Sequence, residues 1–131
     1  MSAVLTIQFS YVSCVGSDPG LTLFSVFATT YNIGSQPVQA TWSANNGNAA
    51  KTRMYEYDNL SRIKKVSDGA DGQIAWTYNT AGLVSNETTT MPSVGNALGN
   101  IVSSLNMSYD TVGRLSGKQL SVNGSVHYLA C

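Results

Sequence analysis

The sequence is poor in charge. Of its 131 residues, 7 are Lys or Arg and 7 are Asp or Glu, so the formal net charge is zero and charged residues make up 11%. An ordinary globular protein carries roughly 25%. With no basic excess, the chain lacks the surface that neutralises phosphates, which argues against a nucleic-acid partner. It has no acidic or polybasic tail. It has no run of 18 apolar residues, so no membrane-spanning helix is expected. Met1 to Ser17 holds no Lys or Arg, so the basic start of a signal peptide is missing. The only cysteines, Cys14 and Cys131, do not amount to a disulfide framework, and unpaired thiols are the favoured reading. Disorder is not expected either, because 43% of the residues are hydrophobic.

Charge is also unevenly placed. Before Lys51 the one charged side chain is Asp18. The turn-like stretch Asn45-Asn46-Gly47-Asn48 marks the change. Two segments follow: residues 1–50, a charge-poor β segment of degenerate repeats, and residues 51–131, where the repeats are clearest. Either these are separate units or one continuous fold has a more buried first part. The second reading is preferred, because the repeat crosses the boundary.

Three segments align without gaps: Tyr57-Asp58-Asn59-Leu60-Ser61-Arg62-Ile63, Tyr78-Asn79-Thr80-Ala81-Gly82-Leu83-Val84 and Tyr109-Asp110-Thr111-Val112-Gly113-Arg114-Leu115. Each has Tyr, then Asp or Asn, two variable residues, Gly or Ser, often Arg, and an aliphatic residue. Tyr55, Trp76 and Met107 stand two places before each Tyr. A weaker copy is Tyr31-Asn32-Ile33-Gly34-Ser35-Gln36-Pro37-Val38. The four tyrosines are 26, 21 and 31 residues apart, and the long step holds an insertion around Met91 to Asn100. Tyr128 looks like the start of a further copy cut off at Cys131. Phe9-Ser10-Tyr11 looks like an eroded first one.

The unit reads as a β-hairpin. Ile74, Trp76 and Tyr78 alternate, as do Leu105, Met107 and Tyr109, and a period of two puts each set on one face of a strand. Asp or Asn first and Gly fourth is a type I turn signature. Gly82 and Gly113 can take a positive φ there, whereas Ser35 and Ser61 hold the same place at some cost. Arg62 and Arg114 lie four residues after Asp58 and Asp110, within reach of an ion pair worth ~0–1 kcal/mol. Asn123-Gly124 between Val122 and Val126 is a strong hairpin signal, and Asp68-Gly69 and Asp71-Gly72 offer a similar turn. No apolar stripe of helical period lasts three turns. The expected fold is all-β: antiparallel hairpin repeats in an open, curved sheet, whose unpaired strand edges invite pairing with other chains.

The motif residues Tyr57, Asp58, Arg62, Tyr78, Asn79, Gly82, Tyr109, Asp110, Gly113 and Arg114 carry a resemblance to the Rhs/YD-repeat family, whose signature is Tyr-Asp, two variable residues, Gly-Arg and an aliphatic residue. Tyr109 to Leu115 matches every fixed position, Ser61 departs in the first copy, and Leu83 stands where the second would carry Arg. The resemblance covers about Tyr31 to Cys131. It implies part of a β-shell that encloses or scaffolds a toxin or effector domain, in a secreted or cell-surface setting. The implied partners are further repeats or other copies of itself, and an enclosed toxin domain. The other function it implies is a carbohydrate-binding or adhesion module. A ladder of Tyr55, Trp76 and Tyr128, with Tyr57, Tyr78 and Tyr109, would there stack on sugar rings. The packed face of the sheet is the plainer reading of these aromatics.

Catalytic chemistry is thin, and no enzyme and no cofactor are expected. His127 is the single histidine, without the nucleophile and carboxylate a triad needs. Cys14, His127 and Cys131 lack a zinc-site spacing. Asp68 to Gly72 lacks the glutamate that closes a calcium loop. Glu56 and Glu87 alone do not define a glycosidase. Gly95 to Gly99 is not followed by the Lys of a phosphate loop. Four Asn-x-Ser/Thr triplets, at Asn59, Asn86, Asn106 and Asn123, are chance products of a composition rich in these residues.

Overall fold

The computed structural model describes residues 5–12, 24–44, 50–93 and 99–129. Cys14, Cys131, Gly16 and Asn45 to Asn48 lie outside them. The described residues form strands and turns with no helix, as the alternation of apolar residues requires. Every strand is antiparallel to its chain neighbour wherever a pairing is described. The chain divides into two compact units, Met1–Tyr55 and Glu56–Cys131, a few residues past the change in charge.

The first unit holds β1 (Leu5–Val12), β2 (Phe24–Tyr31), β3 (Pro37–Ala44) and most of β4 (Lys51–Tyr57), side by side in chain order. Thr29 and Ala40 face each other across β2 and β3, and both are buried. Arg53 on β4 lies over the Trp42 ring of β3, 5.4 Å from its centroid, and covers part of an otherwise exposed indole. Tyr31 pairs with Leu5, whereas Tyr11 pairs with Ser25 at the other end of β1. Tyr11 therefore does not lead a copy of the Tyr31 type: β1 runs in the opposite direction to β2.

The second unit holds the end of β4 and then β5 (Ile63–Ser67), β6 (Gln73–Tyr78), β7 (Val84–Met91), β8 (Ile101–Tyr109), β9 (Leu115–Val122) and β10 (Ser125–Leu129). Strands β5 to β10 again lie in chain order. The register gathers large apolar side chains on one face, beside Glu87, Thr89, Ser103 and Lys118. One face carries Ile74, Trp76 and Tyr78 of β6, Leu105, Met107 and Tyr109 of β8, and Leu120 and Val122 of β9. The other carries Thr77, Asn86, Thr88, Ser104, Asn106, Gln119 and Ser121. On that polar face Asn86 donates to Ser104 Oγ at 2.6 Å and to Asn106 Oδ1 at 2.7 Å, and Thr88 donates to Asn86 Oδ1 at 2.8 Å. Among the residues whose burial is described, no side chain is fully buried, and ladder hydrogen bonds and cross-strand pairs hold these strands to one another.

Two connections at the same end of these strands are short. Asn123 (φ 48°) and Gly124 (φ 83°) both have positive φ, which makes the β9–β10 link a two-residue type I′ turn. The β5–β6 turn closes with Asp68 N–H donating to Gly72 O at 2.9 Å and Asp71 N–H donating to Asp68 O at 2.8 Å. Gly72 (φ 131°) passes so close to β7 that an added Cβ would stand 2.6 Å from Thr90 O. Gly124 has open space around it. Both glycines are strained by any side chain, and only Gly72 meets backbone. Gly72→Ala is expected to lose at least ~1 kcal/mol more stability than Gly124→Ala in urea melts.

Candidate functional site

One turn recurs four times, once in the first unit and three times in the second. It links β2 to β3 at Asn32, β4 to β5 at Asp58, β6 to β7 at Asn79 and β8 to β9 at Asp110. In each, the first residue's N–H donates to the carbonyl four residues on. The N–H of the fourth residue donates back to the first residue's carbonyl. These bonds measure 2.9 and 3.0 Å at Asn32, 2.9 and 3.0 Å at Asp58, 2.8 and 2.9 Å at Asn79, and 2.8 and 3.0 Å at Asp110. Oδ1 of the first residue accepts two further backbone N–H groups, two and four residues on, at 2.8 to 3.0 Å. A short side chain with an sp² oxygen is needed for both, which is why Asp or Asn stands there.

The fourth residue has positive φ in every case: Ser35 60°, Ser61 63°, Gly82 81° and Gly113 84°. The two serines do take the glycine conformation, against the clash of their own Cβ. Past three of these turns the following strand carries one extra residue. Val38, Ser85 and Ser116 are skipped in the registers Tyr31↔Pro37, Tyr78↔Val84 and Tyr109↔Leu115. In these three hairpins the β-bulge brings the leading Tyr opposite the residue six places on.

The second side-chain atom of the first residue is used differently in each copy. Asp58 Oδ2 takes Arg62 Nε at 2.7 Å and Nη2 at 2.6 Å, a two-pronged pair. Asp110 Oδ2 takes Arg114 Nε at 2.7 Å. Asn32 Nδ2 instead donates to Gln36 Oε1 at 3.0 Å, so an uncharged pair takes the place of the ion pair. Gln36 is a residue that sequence reasoning missed; only its position four places after Asn32 could have pointed to it. Asn79 faces Leu83, which has no polar side chain.

Consecutive copies also hold one another. Tyr78 donates its hydroxyl to Ile63 O at 2.6 Å, and Tyr109 donates to Val84 O at 2.7 Å. Ile63 and Val84 occupy the same place in their copies, so each tyrosine reaches back to the first strand residue of the copy before it. Such a hydrogen bond contributes about 1 kcal/mol. The guanidinium of Arg62 lies over the Tyr78 ring, 4.0 Å from its centroid. Arg62 thus pairs with Asp58 in its own turn and stacks on the tyrosine of the next, with its side chain 30% exposed. Arg114 pairs with Asp110 alone and is 80% exposed.

The aromatic row expected from sequence is interrupted. A copy spans two strands, so Trp76 and Tyr78 lie on β6 and Tyr109 on β8, ~10 Å away at the usual strand spacing. Across β7, β9 and β10 the partners of Trp76 in its row are Glu87, Leu105, Leu120 and His127. Trp76 Nε1–H donates to Glu87 Oε2 at 2.9 Å. Tyr128 pairs with Gln119, in register with Asn106, Asn86 and Thr77 rather than with Trp76. Tyr55 and Tyr57 are half-buried on β4.

His127 is exposed on β10, opposite Leu120. No group of three or more His, Cys, Asp or Glu able to hold a metal gathers among the described residues. No helix among them is long and apolar enough to cross a membrane. No protein-family model matches the chain, and no curated protein matches it.

Two outcomes are expected. Ser61→Gly is expected to stabilise by about 0.5–1 kcal/mol by relieving a left-handed serine, and Gly113→Val to destabilise by more than that. Denaturant midpoints check both. The second concerns acid. The hydrogen bond from the Arg62 side chain holds the Asp58 carboxyl below its ordinary value, and for Asp110 the backbone N–H of Arg114 leads, with that residue's side chain second. A carboxyl depressed in the folded state contributes stability that is complete above its unfolded value and is lost as pH falls toward its folded one. Thermal melts are expected to worsen as pH drops below about 4. The slope flattens in the double variant Asp58→Asn, Asp110→Asn, whose turns keep the Oδ1 acceptor.

Proposed function

We propose that the chain is a non-enzymatic structural module, a run of YD-type hairpins that forms part of a β-wall enclosing or scaffolding another domain. One observation carries this: the hydroxyls of Tyr78 and Tyr109 join each copy to the preceding one by the same bond at the same place. The conserved chemistry of the copies within this chain is therefore spent on repeat-to-repeat attachment. Chain-order strands, one polar and one apolar face in the second unit, and turns of one design suit an extendable wall. The kinship to Rhs/YD proteins rests on the motif residues themselves and belongs to the same proposal.

Stability in a wall of repeats grows with each neighbour added, because every copy docks on the last. A chain extended by one more hairpin, in register with β10 and supplying a tyrosine opposite Arg114, is expected to melt at a higher temperature. An unchanged or lower melting temperature would defeat the reading. Binding on a glycan array that disappears in Trp76→Ala would instead favour the carbohydrate-binding role.

A further inference from the structure

We infer that Met107 is an oxidation site, with a hydroperoxide as the oxidant, and that its oxidation loosens the bond between two consecutive copies. The inference concerns that bond and does not depend on the enclosing role.

The placement follows from the strand. Met107 stands two residues before Tyr109 on β8, so both side chains lie on one face. The Tyr109 hydroxyl oxygen is 2.7 Å from Val84 O and 3.8 Å from Met107 Sδ. A phenol has one hydrogen to donate, and a thioether sulfur is a weak acceptor. The hydrogen therefore goes to Val84 O and ties the copy led by Tyr109 to the one before it. In the copy led by Tyr78 the same position holds Trp76, whose Nε1–H donates to Glu87. One tie thus has an oxidisable atom beside its hydroxyl, and the other has an indole.

Met107 is half-buried, and none of the side chains whose burial is described is sealed from water, so a small hydroperoxide has access to it. A lone pair of Sδ attacks the outer oxygen of the hydroperoxide. The S–O bond forms as the O–O bond breaks. The proton moves to the departing oxygen, which leaves as an alcohol, or as water where hydrogen peroxide is the oxidant. Sulfur loses two electrons and the peroxide gains them. The product is a sulfoxide, which turns an apolar side chain into a polar one. Its oxygen is a strong acceptor, carried on a sulfur 3.8 Å from the phenol oxygen, and so within hydrogen-bond reach of it. The Tyr109 hydrogen then has a competing acceptor on its own strand, and its bond to Val84 O weakens. The bond from Tyr78 to Ile63 O stays as it was. Sulfoxide reductases reverse the modification. Met54 and Met91, 53% and 48% exposed, enter none of the described hydrogen bonds and serve as internal controls.

Mild hydrogen peroxide treatment of the folded chain tests the proposal, with sulfoxides located by peptide mass spectrometry and stability read from thermal melts. Oxidation at Met107 is expected to lower the melting temperature by about 4 °C, the scale of one hydrogen bond in a chain of this size. Methionine sulfoxide reductase is expected to restore it. Met107→Leu nearly conserves side-chain volume, and is expected to melt unchanged after peroxide although Met54 and Met91 are oxidised. Tyr109→Phe has no hydroxyl to divert, and is expected to lose less than half as much as the native chain when Met107 is oxidised. Should that variant not fold, hydrogen exchange of the native chain reads the same bond. Oxidation is then expected to speed exchange around Val84 and Tyr109 more than around Ile63 and Tyr78. An oxidised Met107 with an unchanged melt, an equal fall in Met107→Leu, or an equal fall in the folded Tyr109→Phe would overturn the proposal. So would a Met107 that stays reduced once Met54 and Met91 are fully oxidised.

Discussion

The Oδ1 atom of the residue that opens each turn is the point on which the rest depends. It accepts two backbone N–H groups that would otherwise go unpaired at the end of the hairpin. In doing so it sets the loop at one length and puts the fourth residue in the left-handed region. It also places the bulge on the following strand. The bulge in turn sets where the leading tyrosine falls, and so which carbonyl its hydroxyl meets. A chain of local hydrogen bonds therefore positions the contacts between copies. This matters more than usual here, because none of the side chains whose burial is described is fully buried to enforce the register by packing.

Much of this was legible from Tyr57, Tyr78 and Tyr109, because turn chemistry is local. Asp or Asn, a residue that tolerates positive φ, and alternating apolar residues before them dictate the hairpin with no knowledge of what lies beside it. Asn123-Gly124 was equally plain. What lay beyond the sequence depends on register. Tyr128 reads as a repeat tyrosine from its distance to Met107. The pairing with Gln119 sets it in register with Thr77 rather than with Trp76. Tyr11 fails in the same way, since distance along the chain says nothing of strand direction. The aromatic row broke for a related reason: a two-strand repeat brings its aromatics to alternate strands, and Glu87 and Leu105 fill the places between.

The sheet of the second unit is stabilised unevenly. Its polar face is knitted by Asn86, Thr88, Ser104 and Asn106, which satisfy one another side by side. Its apolar face sets Trp76 against Glu87, and the indole N–H supplies the carboxylate with a hydrogen bond. Arg62 spans two copies, Arg114 one. The copy led by Tyr78 is therefore tied twice to the copy before it, by its own hydroxyl and by the guanidinium above its ring, while Arg114 contributes to its own turn only.

The four turns rank the parts of the motif by need. All four keep the opening oxygen and the left-handed fourth residue. Only Asp58 and Asp110 are followed by an arginine; Asn32 uses a glutamine and Asn79 does without. Mutational drift can thus erase both charges and leave the backbone path intact. A search pattern that insists on arginine would pass over two loops whose main-chain bonding is the same as that of the other two.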